Sequence, residues 1–133
     1  MERVRAILAD DHPVILQTVA RLLERDVEVV ETIGNGCSLL EAALRLEPDI
    51  LIMDISMPGM SGIEAARKLK EAGCCSKVVF LTVHSDPDFV RACLACGAFA
   101  YVIKPRVFTD LVPAIRDALA GKIFVSMPLR GAA

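Results

Sequence analysis

The stretch ILIMDISMPGMSG, residues 50–62, drives four apolar residues into a carboxylate, Asp54, and then breaks at Pro58, Gly59 and Gly62. A run this apolar belongs in a core, where a lone charge is strongly unfavourable unless something pairs with it. Asp54 therefore needs partners, and the remainder of the chain must supply them.

Outward from this stretch, short apolar runs alternate with helical patterns. VRAILA (4–9) ends at Asp10-Asp11, and helical spacing follows at Ile15, Val19, Leu22 and Leu23, with Pro13 fit for a first turn. VEVVETI (27–33) reads as a second strand, edge-like because charges interrupt it. Ser38-x-x-Glu41 reads as a capping box opening a helix to about Leu46, and Ser61-x-x-Glu64 as another, opening a helix that Gly73 closes. KVVFLT (77–82) is a fourth strand. Ser85-Asp86-Pro87 caps a helix with Val90, Cys93 and Leu94 on its apolar positions, stopped by Gly97. FAYVI (99–103) runs into Lys104-Pro105, and a last helix over about 108–120 turns Leu111, Ile115 and Leu119 inward. The tail, KIFVSMPLRGAA, has no pattern long enough for a further element.

Strands alternating with helices imply an α/β fold with a parallel sheet covered on both faces, and the 54% apolar composition agrees. At 133 residues this is one domain. A charge of −2 and a pI near 5.7 favour neither DNA nor anionic lipid. No apolar run is long enough to span a membrane, and the N-terminus lacks the features of a signal peptide. Five scattered cysteines in such a chain point to reduced thiols in a cytoplasm. Cys93-x-x-Cys96 lies inside a helical pattern rather than at a helix N-terminus, so it reads as structural, as do Cys74 and Cys75.

In a parallel sheet, ligands gather at the carboxyl ends of the strands. Those ends carry Asp10 and Asp11, then Asp54, Thr82 and Lys104. The acids meet only if the first and third strands are neighbours, which favours a doubly wound, flavodoxin-like sheet of five strands in the order 2-1-3-4-5, with five helices. Carboxylates this close repel by about 4 kcal/mol per pair at 4 Å and an effective dielectric of 20, so either some protonate or a cation sits among them. A hard divalent ion held by carboxylates and a phosphate is the Mg²⁺ pattern. The set thus reads as a metal-assisted phosphoryl site, with Asp54 as nucleophile, Lys104 neutralising phosphoryl oxygens and Thr82 donating to one. No glycine-rich P-loop marks a nucleotide as the phosphate source. A single such Asp would more often be a turn former; three converging with Thr and Lys are not explained that way.

These same residues carry a family likeness. DD after the first strand, DISMPGMSG after the third, TVHS after the fourth and YVIKP at the fifth resemble the receiver domain of two-component response regulators, over roughly residues 3–120. DDHPV and AIRDALAGKIFVS are similar to the NarL/FixJ type, whose members usually continue into a DNA-binding helix-turn-helix that this chain does not include. The resemblance implies a CheY-like fold, with a receiver domain over 1–122 and a C-terminal tail or linker start over 123–133.

It implies that Asp54 accepts a phosphoryl group from a sensor histidine kinase, a phosphotransfer protein or a small phosphodonor. Mg²⁺ would be held by Asp11, Asp54 and the Ser56 carbonyl, with Asp10 acting through water. Thr82 and Tyr101 would form a switch pair, Ser56 and His84 would tune dephosphorylation, and the Lys104–Pro105 bond would be cis. Output would run through partner or homodimer contacts rather than turnover, with no membrane and no direct nucleic-acid binding by this chain.

Val83 is larger than the residue usual after the threonine, which would narrow access to the site. Pro105 is less usual in the NarL/FixJ type. By residue chemistry alone, Tyr101 is equally well explained by packing. His12 and His84 lack a partner cluster for a metal, and His84 reads as a solvated loop residue. Met57 and Met60 suit a partner surface. Two rivals stand beside this reading. An aspartyl-nucleophile phosphatase would want a second Asp where Ser56 stands, and a degenerate receiver would bind partners without phosphate.

Overall fold

The computed structural model describes residues 3–132. Six parallel strands lie in the order β2-β1-β3-β4-β5-β6: β1 Val4–Ala9, β2 Val27–Ile33, β3 Ile50–Met53, β4 Lys77–Thr82, β5 Ala100–Ile103 and β6 Phe124–Val125. Five helices connect them: α1 Pro13–Leu23, α2 Gly36–Leu46, α3 Gly62–Glu71, α4 Pro87–Ala95 and α5 Val107–Leu119. The 2-1-3-4-5 core of the sheet is as expected. The sixth strand is not.

Side chains alternate along each strand and so divide the interior in two. Ile7, Leu51, Met53, Phe80 and Tyr101 pack with residues of α2, α3 and α4. Leu8, Ile52, Val79, Leu81 and Val102 pack on the other face with α1 and α5. Both faces are covered, and this is why β3 is buried at all four positions. Burying each such side chain stabilises by about 1.5–3 kcal/mol.

The helix ends refine the local reading. Ser61 caps α3, its Oγ accepting from the Glu64 N–H at 3.2 Å, and Asp86 caps α4, accepting from the Asp88 N–H. For α2 the cap is Asn35, whose side chain accepts from the Ser38 N–H at 2.8 Å. Ser38 therefore lies inside the helix, and the opening turn starts three residues earlier than the Ser-x-x-Glu pattern suggested. In α5, Leu111 and Ile115 are buried, but Leu119 is 38% exposed because the last turn runs past the end of the sheet. Every described peptide bond is trans, Lys104–Pro105 included, where a cis bond was expected. Trans is the intrinsically favoured isomer, and Pro105 here sits in a 3-10 turn, Lys104–Arg106, that leads directly into α5. All five cysteines are free; Cys93 and Cys96 are buried, with burial pushing both thiols up in pKa, as structural thiols require.

The tail is structured despite its short apolar run. Phe124 and Val125 pair with Ala100 and Tyr101 and close the outer edge of β5. Leu129 then joins the core from a 3-10 segment, Met127–Ala132. The segment is fastened to α5 by the buried Ser126, whose hydroxyl donates to Asp110 Oδ2 at 2.8 Å. Burial works against the Asp110 carboxylate, but hydrogen bonds from Arg106, Ser126 and Thr109 outweigh it and hold its pKa below the usual 3.8. A group with a depressed folded pKa stabilises above its unfolded pKa, and that contribution disappears as pH falls through the folded value. Asp110→Asn should therefore melt below the wild type at pH 7, and the gap should close below about pH 4. Thermal denaturation of both proteins from pH 7 to pH 3 checks this; a gap constant across that range would contradict it.

Candidate functional site

Pairing places the acids. Ala9 lies opposite Met53 in the β1–β3 register, so Asp10 and Asp54 leave adjacent strand ends together, and the Asp54 N–H donates to the Ala9 carbonyl at 3.0 Å. Thr82 lies opposite Ile103, so Lys104 leaves β5 just beyond the threonine. Asp10 and Asp54 are each 3% exposed and Thr82 is fully buried.

The Lys104 ammonium crosses from β5 to both acids, 2.8 Å from Asp10 Oδ2 and 2.9 Å from Asp54 Oδ2. Burial disfavours that charge, but hydrogen bonds and attraction to the two carboxylates prevail and raise its pKa above 10.5. The other Asp54 oxygen accepts from the Ile55 N–H at 2.7 Å. The loop after β3 is held close from both sides. The Gly62 N–H donates to the Ile55 carbonyl at 2.7 Å, and a Cβ on Gly62 would stand 2.0 Å from the Asp54 carbonyl oxygen. A Cβ on Gly36 would meet the Met60 carbonyl oxygen at 2.1 Å. Both glycines are there for close backbone approach. Met57 and Met60 are half-buried and pack against the core.

On the β1 side the structure adds a residue that had been set aside. His12 Nδ1 lies 2.9 Å from Asp10 Oδ1 and 3.1 Å from Asp11 Oδ1, so His12 does have an acidic cluster around it. One ligand atom each from Asp10, Asp11, His12 and Asp54 fall within 4.8 Å of one another. An octahedral ion with bonds of about 2.1 Å spaces its ligands at about 3.0 Å and about 4.2 Å, so this donor set fits a divalent cation. Immediate adjacency to Asp10-Asp11 was the signal in the sequence that could have drawn His12 in.

On the β4 side His84, in the loop after β4, is half-buried rather than fully solvated. Its Nε2 lies 2.8 Å from Ser56 Oγ, its N–H donates to Thr82 Oγ1 at 3.3 Å, and its carbonyl accepts from the Tyr101 hydroxyl at 2.7 Å. Its ring stacks on Phe89 with centroids 4.4 Å apart. Tyr101 is fully buried, and burial first, then negative charge including that of Asp54, pushes its phenol up in pKa. Val83 points outward and is 64% exposed. Ser56, Thr82, His84 and Tyr101 thus form one connected group beside Asp54. Phe89 was not singled out in the sequence, since a phenylalanine early in a helix carries no signal of this kind.

A parallel sheet gathers Asp10, Asp11, Asp54, Thr82 and Lys104 at one rim, an acidic cluster that could hold a metal ion. The comparisons agree. The response regulator receiver domain model matches residues 6–116. The transcriptional regulatory protein YvfU of Bacillus subtilis is 39% identical over 121 residues, covering 90% of this chain and 60% of that protein. The receiver domain of NarL from Mycobacterium tuberculosis superposes with a TM-score of 0.87 at 31% identity, over 92% of this chain and all of that one. The isolated receiver domain of RcsB from Salmonella enterica, solved in the presence of the phosphomimetic BeF₃⁻, gives 0.89 at 28% identity, over 98% of this chain and 99% of that one. The chain belongs to the receiver-domain family of two-component response regulators, with relatives of the NarL type. It spans about six-tenths of the length of the curated relatives it matches.

Because Lys104 separates two buried carboxylates, removing it leaves both uncompensated. Lys104→Met should lose about 3 kcal/mol of stability in metal-free buffer, and Mg²⁺ should restore part of that loss. Asp10→Asn should cost less, since Asp54 still pairs with Lys104. Urea unfolding with and without Mg²⁺ checks the order; a Lys104→Met protein as stable as wild type would refute it.

Proposed function

We propose that Asp54 is a phosphoacceptor, taking its phosphoryl group from the phosphohistidine of a sensor histidine kinase, from a phosphotransfer protein, or from a small acyl phosphate. The observation that carries this is a buried Asp54 carboxylate held on an ammonium it shares with Asp10. One Asp54 oxygen forms the new O–P bond as the P–N bond of phosphohistidine breaks, and the electron pair returns to the imidazole nitrogen. Lys104 stands where it can turn from the Asp54 carboxylate to a phosphoryl oxygen, and the Thr82 hydroxyl can donate to another. Asp11, Asp54 and the Ser56 carbonyl would hold Mg²⁺, with Asp10 acting through water. When bound, that ion neutralises charge on the phosphoryl oxygens.

Phosphorylation puts roughly two negative charges in place of one and adds acceptor oxygens next to Thr82. Thr82 and Tyr101 are the switch residues in this reading. Thr82 accepts from the His84 N–H and Tyr101 donates to the His84 carbonyl, so a threonine hydroxyl drawn to a phosphoryl oxygen disturbs both contacts. Ser56 and His84, in contact beside Asp54, control the approach of water and so the lifetime of the phosphate. The product is a changed surface for partners or a second copy of the chain, not turnover of a substrate. Five free thiols and the absence, among the described residues, of any helix long and apolar enough to cross a membrane support a cytoplasmic setting. A DNA-binding function belongs to any further domain in a longer parent protein.

Incubation with acetyl phosphate and Mg²⁺ should add the mass of one phosphoryl group to the wild-type chain and none to Asp54→Asn, with chelation abolishing the gain. Intact-mass spectrometry reads this directly. Persistent acid-labile phosphate on Asp54→Asn would sink the assignment, and repeated turnover of a phosphomonoester would favour a phosphatase instead.

A further inference from the structure

Among the described residues, the polar or charged side chains that are buried are Asp10, Asp54 and Thr82 of the site, together with Asp110 and Ser126. The last two are the ones the phosphoryl site does not explain. A buried carboxylate is costly and needs a compensating arrangement, and an edge strand of two residues could be seated by apolar packing alone.

The arrangement converges on the turn that carries Lys104. Behind Lys104, the Ile103 N–H donates to Ser126 Oγ at 3.2 Å, and Ser126 Oγ donates to Asp110 Oδ2. Ahead of it, Arg106 donates to Asp110 through Nε at 2.9 Å and through Nη2 at 3.3 Å. Thr109 adds a hydrogen bond to the same carboxylate at 3.1 Å, and the Ser126 N–H donates to the Tyr101 carbonyl at 2.9 Å. The residue before Lys104 and the second residue after it are thus anchored to one buried carboxylate, while the Lys104 side chain reaches the other way to Asp10 and Asp54.

We propose that Asp110 and Ser126 are positioning residues for Lys104, fixing the turn between β5 and α5 so that the ammonium stands between the two acids. The inference rests on the phosphoacceptor reading for its consequence, the rate of phosphoryl uptake, but not for the placement of Lys104 itself. It also makes the functional unit run past residue 122 to Ser126 at least. The coupling is reciprocal: whatever moves Lys104 on phosphorylation changes the seat of the segment from Phe124 to Leu129.

The test uses the full chain, acetyl phosphate with Mg²⁺, and intact-mass kinetics. Loss of the two hydrogen bonds that Ser126 Oγ makes predicts that Ser126→Ala slows uptake about threefold to tenfold. In a Lys104→Ala background, itself slow, Ser126→Ala should add nothing, because its effect passes through the lysine. Wild-type uptake by Ser126→Ala, or slowing by the two substitutions that multiplies, would overturn the proposal.

Should Ser126→Ala fail to fold, Arg106→Gln cuts the same network from its more exposed side and should slow uptake in the same direction by less. Wild-type uptake there would overturn it equally. The ¹H–¹⁵N NMR signal of the Lys104 ammonium reads its position with no phosphodonor present and should shift in either variant. If the wild-type chain takes up no phosphate at all, the Asp54 reading fails. The NMR signal then still decides the positioning claim, and an unmoved signal counts against it.

Discussion

The site depends on one ammonium between two buried carboxylates. Asp10 and Asp54 are brought together by the pairing of β1 with β3, and without Lys104 their repulsion would be about 4 kcal/mol at 4 Å and an effective dielectric of 20. Lys104 comes from β5, two strands away from β3, so the contact exists only if the sheet order is β1-β3-β4-β5. The apolar strands give the order its stability, and the order gives the ammonium its place. The same interaction offsets part of the negative charge of a rim whose residues would each be misplaced on their own. It also leaves Asp11 and His12 beside the pair, where a divalent ion fits.

Much of this was legible in the sequence for a physical reason. Buried parallel strands are continuous apolar runs, and turns at their carboxyl ends need polar residues, so a list of strand ends is already a list of site candidates. Asp10, Asp11, Asp54, Thr82 and Lys104 follow from that reasoning with no distance information. What escaped it was non-local or too short to carry a pattern. β6 has two residues and is a strand only because β5 offers an open edge. His84 was named beside Ser56 through the resemblance, but its contacts with Thr82, Tyr101 and Phe89 are set by the fold and carry no sequence pattern. Asn35 displaced Ser38 as a cap because several polar residues in one stretch can each supply a capping oxygen.

The surroundings of Asp54 are unequal in what they can transmit. On the β1 side, Asp11 and His12 are solvent-facing and suited to holding an ion. On the β4 and β5 side the contacts of Thr82 and Tyr101 lead inward. Thr82 and Tyr101 meet through the backbone of His84, which connects a buried hydroxyl to the largest fully buried side chain among the described residues. A close-packed interior cannot absorb displacement of a ring that size continuously, so under the proposed function a shift in Thr82 would be expressed as a second discrete arrangement rather than a gradual one.

Two connections therefore leave the site toward β5, one from Thr82 through His84 to the Tyr101 hydroxyl, the other from Lys104 through Ile103 to Ser126. They meet again, because Ser126 also donates to the Tyr101 carbonyl. A strand gripped at its side chain by the switch and at its backbone by the C-terminal segment cannot respond to one without the other. This gives the short sixth strand a reason beyond closing an edge. It places the part of the chain that follows α5 on the backbone of Tyr101, whose hydroxyl reaches the His84 carbonyl, and under the proposed function this couples that segment to the charge on Asp54.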